Sequence, residues 1–434
     1  MINKFFNEEK PAVFCVKIAM LALIVRFCIG AAYYHVFIAG LKRPIYAFDG
    51  EAYSIMGWYI ALVLKGFNTL ALPAQCIPND YSLIGGLLGT PVNYCGLLPS
   101  IREYGVTLFS YIIGGFYYVF GYAPVLLRFF ISGASVLTAF LTYNVARRAF
   151  DERTGRISLA IALFMPSFII YSASIQRDTL INLLVMLVIS QVLFIKKTDD
   201  ARGPLIAMAV TAIALWLLAE LRVNAMLVLA GFLAAYLFIR FAFSYRRVAL
   251  TFAGALLAFY PASGRLFDFI WTKLSFMLNY HLILNYRGGL TYKLLPESYY
   301  TYIPTGRSIC QDGVSAFHMI IAYLKGVCVF LFGPSPLAFN KIQQLVILPQ
   351  MLAWYLVVVF AAAGLCFSFK KMTADKLALI TVGLFFTSAL GLSEANYETL
   401  LRHRDMIVPV YIIFAAYGLA KTSRPKKGQK AEEQ

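Results

Sequence analysis

Apolar runs close to the ~20 residues that span a bilayer core recur along the whole chain. They fall near 18–39, 104–121, 124–146, 157–173, 179–195, 204–219, 223–240, 248–261, 316–333, 350–369, 377–392 and 406–420. The segments between them are short and polar, apart from two long ones that separate the first run from the second and the eighth from the ninth. Continuous runs of this length, without the alternation of strands, predict helices. The fold class is therefore an all-α polytopic membrane protein. The residues read as helices and loops fall into two modules, 1–240 and 241–434.

Composition sharpens this. Of the 434 residues, 60% are hydrophobic and 14% charged, against roughly 45–50% and about 25% in soluble proteins. Mean hydropathy is +0.72. A formal charge of +17 would suggest nucleic acid in a soluble chain, but in a membrane protein it is read first as topology, so no nucleic-acid partner is expected.

Basic residues cluster in short linkers: Arg147, Arg148, Arg153 and Arg156; Lys196, Lys197 and Arg202; Arg240, Arg246 and Arg247; Lys370, Lys371 and Lys376; and the tail Lys421, Arg424, Lys426, Lys427 and Lys430. The positive-inside rule puts all of them in the cytoplasm with the N-terminus. Twelve crossings would break that pattern. About ten crossings satisfy it if Tyr104 to Gly121 and Ala316 to Gly333, both rich in aromatic residues, lie as helices at the outer interface. Lys42 and Arg43 run against the rule. Two outer loops result, 41–123 and 262–349, and the chemistry is expected on that face. Ile18 to Ile38 is expected to remain as a helix, because no small-residue cleavage site follows it.

Three polar constellations reach the outer face. In YAFDGEAY, Asp49 and Glu51 follow the first crossing, where they suit a helix start, a shared proton or a divalent cation such as Mg2+ or Mn2+. In YSASIQRD, Pro166 loosens the helix upstream of Arg177 and Asp178, which suit an interfacial ion pair or a site. In SEANYETLLRHRDM, Glu394, Glu398, Arg402, His403, Arg404 and Asp405 crowd one loop. Two arginines there offer planar donors for a phosphate, or simply snorkel to headgroups. Glu220 and Arg222 read as a structural pair.

Walker A, dinucleotide GxGxxG, HExxH and GxSxG motifs are absent from the sequence, so ATP-driven pumping and zinc proteolysis lack support. No zinc-type cysteine spacing occurs, and no cofactor is demanded by any motif. Cys76 and Cys95 share one loop and would pair only in an oxidising compartment. Arg26 alone places a charge in mid-crossing, which argues against a proton-relay transporter.

The order of these features resembles the GT-C glycosyltransferases, especially glycosyltransferase family 39 and the bacterial RgtA/B/C/D-like branch. The resemblance runs from about Ile18 to Arg240 through FDGEAY, FGYAPVLLR ending at Arg128, NVARRAFDERTGR and MPSFIIYSASIQRD, and RHRDMIVPVYIIFAAYGLA resembles the family's closing pattern. The His-Pro-Pro-Leu type motif is replaced by LLPSIREYG. The resemblance implies an inverting membrane glycosyltransferase of the bacterial inner membrane that uses a polyprenyl-phosphate sugar. It maps the family's acids onto Asp49 and Asp178, with Glu51 beside them. The implied substrate contacts are Arg402, His403, Arg404, Arg128 and Arg177, and the implied acceptor is a cell-envelope glycan, lipid or protein. Two other readings use the same outer charges: a polymerase or ligase acting on a pyrophosphate-linked glycan, and a lipid-linked glycan flippase.

Overall fold

The computed structural model describes residues 10–36, 48–66, 107–194, 202–244, 264–286, 291–301, 314–335 and 347–423. Among these the chain is helical, with one isolated bridge between Thr291 and Asn396. Cys76, Cys95, Lys42, Arg43, Lys196, Lys197, Arg246, Arg247, the run 248–261 and the tail beyond Ser423 lie outside the described residues. The chain falls into two compact units, Met1–Met226 and Leu227–Gln434.

In the first unit the helices are α1 (Pro11–Tyr33), α2 (Phe48–Leu64), α3 (Leu108–Phe120), α4 (Pro124–Ala149), α5 (Glu152–Phe164), α6 (Pro166–Ala173) and α7 (Arg177–Phe194). Helix α8 (Arg202–Ser244) runs across the division. Helix α4 is the centre of the unit and packs against α1, α5, α6 and α7, while α2 packs on α3. Small hydroxyl residues on α4 make this possible: Ser132, Ser135, Thr138 and Thr142 are all buried, and the last two return their hydroxyls to the carbonyls of Ala134 and Thr138. The basic turn after α4 is ordered by Asp151, whose carboxylate accepts from the Thr154 N–H at 2.8 Å. Glu152 pairs there with Arg156 at 3.1 Å and Arg147 at 3.8 Å.

The second unit contains α9 (Gly264–Tyr286), a short 3-10 turn (Glu297–Thr301), α10 (Ala316–Phe332), α11 (Leu348–Phe369), α12 (Ala374–Ser393), α13 (Tyr397–Arg404) and α14 (Val408–Thr422). Helix α12 contacts α9, α10, α13 and α14, and α11 lies along α14. That last pair touches backbone to backbone. A Cβ on Gly364 would stand 1.9 Å from the Phe414 carbonyl oxygen, and one on Gly418 would stand 2.3 Å from that of Phe360. Close approach through small residues replaces the hydrophobic drive that lipid cannot provide.

Five described helices are long and apolar enough to cross a membrane, and up to seven if each of two bent pairs forms one span. The sequence pattern suggests about ten. One expected run, 248–261, lies outside the described residues; the expected run 157–173 breaks by 46° at Pro166, and the expected last run, 406–420, is α14, which meets α13 at a bend of 63°. The two runs 204–219 and 223–240 are one 43-residue helix interrupted at Arg222. Helices α3 and α10 have 13 and 17 residues, or about 20 and 26 Å at 1.5 Å per residue, short of the ~30 Å hydrocarbon core.

Candidate active site

Helix α2 carries the first acidic motif in its opening turn, where carboxylates meet the favourable end of the helix dipole. Asp49 is half-buried and Glu51 is buried. Two residues apart on a helix, their side chains leave on different sides. Glu51 is then claimed by Arg128: the guanidinium Nη2 donates to Glu51 Oε1 in a pair shielded from solvent. No group of three His, Cys, Asp or Glu side chains placed to hold a metal ion occurs among the described residues.

Arg128 makes further contacts within the same unit. Its Nε donates to the Ala173 carbonyl at 2.9 Å and its Nη1 to Pro124 at 3.1 Å. The ring of Tyr34 lies 5.1 Å from its guanidinium carbon. Only 1% of Arg128 is exposed, and its contacts join α2, α4 and α6 with the end of α1. Burial pushes the Glu51 carboxyl above its ordinary range, with the Arg128 charge opposing that rise. Its Oε2 is buried without a hydrogen-bond partner.

Between Asp49 and Glu51 stands Gly50. A Cβ there would lie 1.9 Å from the Ser174 carbonyl oxygen and 3.3 Å from Gln176 Nε2. Glycine is thus what lets α2 seat against the turn from α6 to α7. That turn is itself unusual, because Ile175 has φ 53° and is wholly buried. A left-handed conformation costs an ordinary residue about 1–2 kcal/mol, and strain of this kind collects at functional sites. The sequence gives no signal for it, since an isoleucine in an apolar stretch reads as core.

Two residues further, Arg177 and Asp178 open α7 but do not serve as a pair with each other. Asp178 receives Arg222 Nη1 at 3.2 Å. Arg177 donates to the Leu221 carbonyl at 3.5 Å and lies over the Tyr53 ring of α2 at 5.8 Å. Arg222 marks the interruption of α8, with φ −163° and ψ 94°. The expected pairing of Arg222 with Glu220 gives way to a contact 44 residues upstream.

The second unit has its own polar centre. Glu394 caps the end of α12, and its Oε1 meets His403 Nδ1 of α13 at 2.6 Å. Its backbone carbonyl accepts from His281 Nδ1. His281 Nε2 lies 3.0 Å from the Tyr300 hydroxyl, which itself accepts the N–H of Leu294 at 2.9 Å. A carbonyl can only accept, so Nδ1 carries the proton and Nε2 accepts from Tyr300. Desolvation holds this neutral tautomer and lowers the His281 pKa to about 4, against the upward pull of Glu394. Tyr292 is pinned alongside by its N–H to the Ala395 carbonyl at 2.9 Å.

Arg402 and Arg404, expected to offer planar donors to a phosphate, leave α13 on different sides for the same two-residue reason as the acids. Arg404 is buried, donates to the Gly333 carbonyl at 2.6 Å and lies 5.0 Å from Trp354 and 5.5 Å from Phe330. Arg402 remains half-buried at the end of α13, and His403 is held by Glu394.

Residues 107–263 match the family model of dolichyl-phosphate-mannose-protein mannosyltransferase. The match takes in α3 to α8, and therefore Arg128, the strained turn, Asp178 and the break at Arg222, but not Asp49 or the second unit's centre. Over this stretch the chain is similar to a family of membrane glycosyltransferases, in line with its resemblance to the GT-C superfamily. No match is found among curated proteins.

Proposed function

We propose that the protein is a membrane glycosyltransferase that moves a sugar from a polyprenyl-phosphate donor to a cell-envelope glycan, lipid or protein acceptor on the outer face. The observation that supports it most is the seating of the acidic motif, through Gly50, on the strained turn that lies within the family-matched stretch. A donor on a lipid carrier arrives laterally, which suits a chain of apolar helices with its acids at their ends.

In this reading Asp49 takes the proton from the acceptor hydroxyl as that oxygen attacks the anomeric carbon, and the lipid phosphate leaves with the glycosidic electron pair. Direct displacement inverts the anomeric centre. Glu51, fixed by Arg128, orients the turn that carries Asp49. Arg177 is the first unit's cation at the half-exposed edge of the site, and Arg402 is the second unit's candidate for a phosphate contact. The N- and C-termini are taken as cytoplasmic, in the inner membrane.

Asp49→Asn keeps size and polarity but removes the proton acceptor. Transfer by correctly inserted protein from a polyprenyl-phosphate sugar should then fall about 10²–10⁴-fold. Unchanged turnover in the folded variant would remove the base assignment.

A further inference from the structure

Asp178 and Arg177 are adjacent in sequence, yet both reach across to the same interruption in α8. Arg177 takes the carbonyl of Leu221, and Asp178 takes the side chain of Arg222. A break in a long apolar helix leaves carbonyls and N–H groups without their helical partners, and at membrane depth these must be met from neighbouring elements. The break is therefore held by the turn, and the turn by the break. On its other side the same turn meets α2: Ser174 and Gln176 abut Gly50, and Arg177 lies over Tyr53. Ile175, buried at φ 53°, is kept in an unfavourable conformation between these two attachments.

We propose that Arg222 is a positioning residue for sugar transfer, which by holding Asp178 fixes the 174–178 turn and with it the seat of Asp49. The idea rests on the glycosyltransferase reading above, and it assigns Asp178 a partner rather than a substrate. Two features support that assignment. Asp178 is 2% exposed, whereas Arg222, at 17% side-chain exposure, sits nearer solvent. A buried carboxylate paired with a guanidinium also loses far more when one partner is removed than when both are replaced by neutral groups, because a lone buried charge is left behind in the first case.

That asymmetry supplies the test. Arg222→Gln leaves Asp178 uncompensated, whereas Asp178→Asn with Arg222→Gln restores a neutral amide hydrogen bond across the same gap. Steady-state transfer from a purified polyprenyl-phosphate sugar, normalised to folded protein and read well below the melting temperature, should show kcat down about 10–100-fold in the single variant with donor KM unchanged. The double variant should return to within about 3-fold of the parent. An inactive double variant overturns the proposal, since Asp178 would then act through its own charge on substrate. A single variant with parental kcat overturns it as well.

If Arg222→Gln does not insert, Arg222→Lys keeps the charge and should lower kcat by less than about 10-fold at constant KM. A raised KM at constant kcat would instead make Arg222 a donor ligand and refute the positioning role. Asp49→Asn, run beside these, judges the base assignment separately. The comparison of single and double variants reads the clasp whichever group proves to be the base.

Discussion

Acidification should weaken the second unit through His281. This residue is neutral in the folded protein, donating from Nδ1 to the Glu394 carbonyl and accepting from Tyr300 at Nε2, and burial lowers its pKa to about 4. The unfolded chain binds a proton near the ordinary value of about 6.5, well before the folded chain does. Stability from this group is therefore complete above about pH 6.5 and drains away as pH falls toward 4. From the two values the loss is about 2 kcal/mol at pH 5 and about 3 kcal/mol at pH 4. Protonation would also force Nε2 to donate, against a tyrosine hydroxyl already committed as a donor. The assay is denaturation in detergent micelles at pH 7, 6 and 5, for the parent and for His281→Asn, which keeps an N–H near the Nδ1 position. The variant should be less stable at pH 7 but should lack this part of the acid dependence, so the two curves converge as pH falls. Parallel curves would refute the neutral tautomer and the network built on it.

Other consequences can be checked directly. Arg404→Lys should destabilise the protein by about 2 kcal/mol, because an ammonium cannot both reach the Gly333 carbonyl and stack between Phe330 and Trp354; thermal unfolding of the purified variant measures it. Arg402→Lys is expected to leave stability unchanged within about 0.5 kcal/mol, and to weaken donor binding if the half-buried guanidinium meets the lipid phosphate, as read by single-turnover transfer. Gly50→Ala should abolish most transfer, since the new methyl would overlap the Ser174 carbonyl, while Gly364→Ala, equally crowded in the second unit, should lower the melting temperature. A cysteine introduced at Arg153 should resist impermeant maleimide added from outside to intact cells, because the basic turn is read as cytoplasmic.

Much of the helical layout can be read from apolar run length alone, and Pro166 announces its bend because proline cannot donate to the preceding turn. The charged clusters were equally visible, but their roles were not. Counting Arg402 and Arg404 together overlooks that residues two apart on a helix face apart, and the same geometry separates Asp49 from Glu51. The partners these groups find lie far along the chain: Arg128 is 77 residues from Glu51, and Arg222 is 44 from Asp178. No periodicity encodes such pairings. Ile175 was hidden for a different reason, since its side chain is an ordinary core choice and only its backbone is exceptional.

The bent pair that closes the chain bears on how the protein is made. Helix α14 has 15 residues, about 22 Å, too short to cross the ~30 Å hydrocarbon layer unaided. Its extension, α13, carries Glu398, Arg402, His403 and Arg404 in eight residues, a composition that insertion machinery accepts poorly when presented alone. Two of those charges find partners on segments synthesised earlier: His403 on Glu394 after α12, and Arg404 on Gly333, Met351 and Trp354 at α10 and α11. The final span should consequently enter the membrane late, drawn in by helices already in place. Shortened chains ending before Thr373 should then be inserted normally, whereas α13 and α14 fused alone to a reporter should fail to integrate.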